Sequence, residues 1–600
     1  MRRSPALLTL TLILMVLPLA TVALADHTNP RTPLSPTTGI SPVAPIIRGT
    51  GTWTFIKNFQ ANPGTDLKFF TKGKDIYASS GTLGQGEEAH VGQRIIRLTV
   101  GGEVNPQWVA DHGSANCLTE NPAGTTGLQH DAAVTGTKDP KLLIDTTDAG
   151  GRCHDGDGGG LELIDISGIA TASFEPREVH LTHHAGFSHT VTVDATRPWI
   201  VYNSSSDFSG RPWIDVVNVR SCLTSDKWSL ARKRDACRPV VHRIAFQDQW
   251  SQALDVHTDS LNTGSAACHD ITARPGRIYC AALNATLIFD VSNLTDKKGN
   301  VRGTPLTCTV RNGESTTGAK VTDCSAAGPG SPSAQGWTFL GTFNHPGRDC
   351  VFPHPTGAPV TNCNSNNFVR SDEGVSVSHE SDPDQTGDFM FVTDERGGGV
   401  VAPGSSCQPG IDNPFGNGGA HVFDISDPSN IQYALQPDGS KAVYISDAVV
   451  PAATFCDIHV MEPIAGEQRF VTAYYSQGTK IVDYQIDESG RWTFDEVASF
   501  TPDGANTWVV QNFKTVRQGN TVTYFFMASD IQRGIDVFSW TGPAGPSVGN
   551  TTRSTGGSPT RSGNVALGAM AGILLPVAAG FGRRRSNRAD KARRSGKSRG

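Results

Sequence analysis

Histidine recurs in this sequence at one place in a repeated pattern. It occurs in His130-Asp131-Ala132-Ala133-Val134, Ser188-His189-Thr190-Val191-Thr192-Val193, Cys268-His269-Asp270-Ile271 and Ser378-His379-Glu380. Cys456-Asp457-Ile458-His459-Val460 continues the series, with His459 two or three residues past the equivalent position and so at another depth. Imidazole titrates near neutral pH and ligates transition metals. If these segments line a common axis, His130, His189, His269, His379 and His459 converge on a site for a transition-metal ion. Asp131, Asp270 and Glu380 follow three of them and would orient the rings or bind directly. The competing reading is structural, because a residue carried by a repeat often serves packing between units.

Other chemistry is thinner. Asp145, Asp148, Asp155 and Asp157 surround the glycine-rich stretch 150–160. Oxygen ligands on a loop suit Ca²⁺, but the DxDxDG pattern is incomplete and no glutamate stands at the bidentate offset. A solvated loop is the better reading, with Ca²⁺ the lesser cofactor. His180, His183 and His184 form a further cluster, expected at the surface. No GxSxG elbow, HExxH or phosphate loop occurs. Trp199, Trp213, Trp508 and Trp540 suit strand cores better than a ligand box.

The elements that must position the histidines are themselves repeated. A short apolar strand ends in Asp, an apolar residue and often Ser: Leu163-Ile164-Asp165-Ile166-Ser167, Ile288-Phe289-Asp290-Val291-Ser292 and Val422-Phe423-Asp424-Ile425-Ser426. Ile481-Val482-Asp483-Tyr484 is looser, and Val216-Val217-Asn218-Val219 puts Asn at the Asp position. Ile95-Ile96-Arg97-Leu98 and Val537-Phe538-Ser539-Trp540 are degenerate copies. Between histidine and apolar-Asp strands lie aromatic strands such as Trp199-Ile200-Val201-Tyr202 and Phe389-Met390-Phe391-Val392. Gly, Pro or Asp turns divide them, as hairpins require.

Seven units result, centred near 66–100, 130–167, 189–219, 269–293, 379–426, 459–487 and 509–540. A small β-unit repeated seven times buries both faces by radial stacking, so the fold expected is an all-β, seven-bladed β-propeller. The histidine spacing exceeds the roughly 40–50 residues of a plain blade, so the surplus is loop insertion, which usually crowds one binding face. Twelve cysteines fall in neighbouring pairs: Cys117/Cys153, Cys222/Cys237, Cys268/Cys280, Cys308/Cys324, Cys350/Cys363 and Cys407/Cys456. In an exported chain they read as disulfides stapling the insertions.

The apolar-Asp strand resembles the LVIVD repeat of exported bacterial propellers. Val422-Phe423-Asp424-Ile425-Ser426-Asp427-Pro428 is the closest match, and the resemblance covers most of 66–540. It implies the propeller fold and no particular reaction. The His-Asp-Ile strand is also similar to a segment of the selenium-binding protein family, whose propellers imply oxidoreductase activity and metal-linked histidines. His269-Asp270-Ile271 matches in full and His130-Asp131 in part, while that family's cysteine signature is not evident.

The ends suggest export and anchoring. Arg2 and Arg3, the apolar run from Leu7 to Leu19 and Ala23-Leu24-Ala25 read as a signal peptide over 1–25. Residues 26–50 read as a Pro-rich linker, 51–540 as the propeller and 541–564 as a Gly/Ser/Thr/Pro stalk. Residues 565–582 carry no charge and are long enough to cross a bilayer, and the basic tail 583–600 should stay cytoplasmic. The expected partner is thus the cell membrane, contacted through this C-terminal helix. Without Arg2, Arg3 and the nine bases and one acid after Gly582, 40 bases face 56 acids, a net of −16. That balance argues against nucleic acid as a partner. The sequence favours a cell-surface binding scaffold for a protein or glycan ligand on its loop face. The alternative is a metal-binding protein or metal-dependent, oxidoreductase-like enzyme with a His-lined channel.

Overall fold

The apolar-Asp repeat is the third strand of each blade followed by a turn. The Asp carboxylate caps that turn. Asp290 accepts the Ser292 N–H at 2.7 Å and its hydroxyl at 2.6 Å, and Asp424 takes the same bonds from Ser426 at 3.1 and 2.6 Å. Asn218 does so for the Arg220 N–H at 3.0 Å. Short polar side chains favour such turns because they satisfy backbone donors locally. The apolar residues before the Asp are fully buried, among them Leu163, Ile288 and Val422, because neighbouring blades cover both faces of the sheet.

The computed structural model describes residues 45–548 except 61–63, 83–91, 114–130, 147–159, 185–187, 205–212, 247–267, 283–284, 313–317, 325–326, 328–332, 346–374, 376, 396–417 and 447–456. Seven antiparallel blades follow in chain order. Blades 1 to 6 span 64–113, 132–183, 191–245, 270–344, 378–444 and 461–501. Blade 7 takes its three inner strands from 507–543 and its outer strand from Thr52–Phe59. This N-terminal strand pairs antiparallel with Gly534–Pro543, matching Trp53 to Trp540, and joins the two ends of the propeller. Trp53 packs its ring on Phe500, Phe526, Phe538 and Trp540. Within the segment read as linker, Ile46–Gly49 forms a strand on the outer edge of blade 6.

Three neighbour disulfides form: Cys222–Cys237, Cys268–Cys280 and Cys308–Cys324. They fit an oxidising compartment. The first encloses the insertion bearing the short helix Leu230–Ala236, whereas Cys268–Cys280 ties the first two strands of blade 4 together. The other three expected pairs involve residues outside those described. No described helix is long and apolar enough to cross a membrane, and residues 565–582 lie outside the described range.

One insertion corrects an expectation. Between the third and fourth strands of blade 4, the hairpin Thr309–Asn312 and Lys320–Asp323 reaches past blade 3. It adds to blade 2 in parallel register with His180–His183. His180 and His183 are therefore buried, and His184 is buried against blade 3, so none is superficial. His180 bonds Thr322 at 2.8 Å and His184 bonds Asp215 at 3.1 Å. Burial pushes the His180 imidazole down to about 3.

Trp53 is the anchor of the closing strand. Trp53→Ala should cost about 3–5 kcal/mol of unfolding free energy by denaturant titration. A loss below about 1 kcal/mol would show that the ring does not depend on this contact.

Candidate functional site

Each of three axial histidines, His189, His269 and His459, is fixed by its own backbone on two sides. Inside its blade, its N–H donates to the second strand: His189 to Ser204, His269 to Ala281 and His459 to Ala473, at 3.2, 2.7 and 3.1 Å. Toward the preceding blade, its carbonyl accepts a hydroxyl. Thr146 of blade 2 donates to His189 at 3.1 Å. Thr190 and Ser204 of blade 3 donate to His269 at 3.1 and 3.0 Å. Thr393 of blade 5 donates to His459 at 2.9 Å. Hydroxyls on one blade thus set the height of the next histidine, and the imidazoles fall in one layer.

The layer is buried and continuous. His189 Nε2 stands 3.2 Å from His269 Nε2. The ring centroids of His269 and His379 are 4.8 Å apart, and those of His379 and His459 are 4.0 Å apart. His459 therefore shares the depth of the others, correcting the offset read from the sequence: the segment from Cys456 aligns through His459, not through Asp457. Glu395, at the end of the second strand of blade 5, reaches the same layer. Its carboxylate oxygens lie 3.9 Å from His379 Nε2 and 3.9 Å from His459 Nε2. The Tyr475 hydroxyl donates to Glu395. Tyr475 has φ +39°, a left-handed conformation that bulky side chains seldom adopt. Trp508 packs on His459 with ring centroids 4.2 Å apart and planes tilted by 47°, so this tryptophan belongs to the axial layer as well as to the blade core.

Asp131, Asp270 and Glu380 take a different place. They line a cavity of about 300 Å³ on the axis, just beyond the histidines, with Asp66, Asp382 and Glu462. Several bond to the next blade. Asp131 accepts the Val191 N–H, Glu380 the Met461 N–H and Glu462 the Asn512 N–H, each at 2.7 Å. The innermost strand of a blade is a sheet edge with unpaired N–H groups, and these carboxylates satisfy it. Among the described residues, none of the three joins a group of metal-ligating atoms with the histidines. His130 lies outside the described residues.

Of the proposed calcium ligands, Asp145 is buried and accepts the Gln93 amide at 2.6 Å; the others lie outside the described residues. Sequence reading missed Glu395 and Tyr475, which follow second strands and carry no repeated motif. It also missed His112 of blade 1, whose Nε2 lies 2.8 Å from Glu162 of blade 2, with Glu178 nearby. Burial opposes protonation of His112, but the charge and hydrogen bond of Glu162, with the charges of Glu178 and Asp145, together raise the imidazole pKa.

The channel carboxylates make stability depend on pH. Burial pushes Glu462 up from 4.5 to about 7 and Asp131 from 3.8 to about 7. An acid whose pKa rises on folding resists ionisation in the fold, so its penalty is absent below the unfolded pKa and complete above the folded one. The Glu462 contribution should therefore destabilise progressively between about pH 4.5 and 7. Glu462→Gln keeps an acceptor for Asn512, and its stability should gain on the parent across that window in thermal melts. Parallel pH profiles would refute the assignment.

No known protein family matches the chain, and no curated protein does. Among solved structures it is similar to the Pseudomonas aeruginosa periplasmic gluconolactonase PpgL, at 12% identity and a TM-score of 0.38 over 81% of this chain and 96% of that one. It is also similar to Sqt1 of Chaetomium thermophilum bound to the N-terminus of ribosomal protein L10, at 10% identity and 0.35 over 79% and 89%.

Proposed function

We propose that this protein is an exported, metal-binding β-propeller whose axial histidines hold a transition-metal ion. The observation that carries the reading is the convergence of His189, His269, His379 and His459, with Glu395, in one buried layer. Two imidazole nitrogens on one ion, each about 2.0–2.1 Å from it, stand roughly 3 Å apart. The 3.2 Å between His189 and His269 fits that spacing. The ligating atoms of His379, Glu395 and His459 all lie within 4.8 Å of one another. A mixed imidazole and carboxylate set suits zinc, copper, iron or manganese.

Two neighbours support the reading. Tyr475 holds a sparsely populated backbone conformation and directs its hydroxyl at Glu395. Such strain persists where surrounding structure enforces it, often at functional sites. A hydrogen bond to a ligating carboxylate orients it for the metal. The similarity of His269-Asp270-Ile271 to the selenium-binding family, with its metal-linked histidines, points the same way. We further read 565–582 as the membrane anchor and the long insertions as the face available to other ligands.

Elemental analysis of mildly purified protein should find one of these metals at near-stoichiometric level, and His379→Ala should lose it while keeping the fold. Tyr475→Phe should weaken binding about 10–100-fold. Protein free of all four metals, and unable to take any up, would end the reading.

A further inference from the structure

The axial cavity lies next to the histidine layer. Its wall begins one residue past each histidine: Thr190 after His189, Asp270 after His269, Glu380 after His379 and Val460 after His459. The histidines themselves do not line the cavity; each stands one residue before its wall. Its wall runs along the inner strands to Arg274 and Pro463, beside the turns that join first to second strands. Those turns are short, as at Lys72–Asp75, Arg274–Arg277 and Gln518–Thr521. Insertions between second and third strands and between blades leave from the opposite, histidine face, whereas those between the third and fourth strands of blades 3 and 4 leave beside these turns.

We propose that this cavity is the route by which divalent metal cations reach the histidine centre, with its carboxylates acting as a cation-selective vestibule. The inference rests on the metal reading of that centre. Asp66, Asp131, Asp270, Glu380, Asp382 and Glu462 face Lys68 and Arg274, and Arg274 is bonded to Asp382. A cleft lined by one sign of charge with low-dielectric walls focuses the field and raises local counter-ion concentration. The carboxylates do not form a trap. Among the described residues, no three of them bring oxygens within 4.8 Å of one another, so no compact oxygen cage for a hard cation exists there. Passage requires attraction spread over several weak sites, and backbone N–H groups of the next blade hold Asp131, Glu380 and Glu462 apart.

The test is the rate of Co²⁺ uptake by the full chain stripped of metal with a chelator, at a pH above the raised pKa of Glu462 so that its carboxylate is ionised, followed by cobalt absorption in stopped flow. The wild type should load fast, and the rate should fall steeply with added salt. Asp382→Asn with Glu462→Gln should slow loading about ten-fold or more and flatten the salt dependence, with the final stoichiometry unchanged. Lys68→Gln, which removes a positive charge, should speed loading and provides a variant of opposite sign. Wild-type protein that takes up no cobalt overturns both the centre and the route. Loading that is indifferent to salt and to all three substitutions overturns the route alone.

Discussion

Everything axial in this molecule depends on closing the ring. Blade 7 is completed by Thr52–Phe59, so the two ends of the propeller sit in one sheet. Once the ring closes, inner strands from seven blades face one axis, and like positions in the repeats become neighbours in space. Residues separated by 80 in sequence, such as His189 and His269, then stand 3.2 Å apart. No local element could do this, because the contact exists only between blades.

Closure also exposes seven inner sheet edges, and the chain uses two devices to manage them. Hydroxyls at Thr146, Ser204 and Thr393 donate to histidine carbonyls of the following blade. Carboxylates at Asp131, Glu380 and Glu462 accept N–H groups of the following blade. The first device sets the height of the imidazoles. The second leaves a charged wall beside them, at an electrostatic cost visible in the raised pKa values of Asp131 and Glu462. Structure and site chemistry thus share the same bonds.

The propeller was legible because its signals are local. An Asp capping the turn after a buried strand leaves a pattern such as Phe423-Asp424-Ile425-Ser426 wherever it occurs. The histidines were legible for the same reason. What escaped reading is what depends on long-range pairing. Thr52–Phe59 looks like any strand until it meets Gly534–Pro543. His180 and His183 look solvated until a hairpin some 140 residues later covers them. Glu395 and Tyr475 belong to single blades, so repetition could not mark them. The role of Asp131 and Glu380 was misplaced because adjacency to histidine in sequence suggested shared chemistry, whereas the strand sends them to the channel wall.

Imidazoles from successive blades are proposed to ligate one centre on the axis. X-ray absorption at the edge of the bound metal tests it most directly. At least two imidazole nitrogens at about 2.0–2.1 Å are expected, with the multiple-scattering pattern of histidine rings and a carboxylate oxygen in the same shell. A first shell of oxygens alone, or of thiolate sulfur at about 2.3 Å, would contradict it.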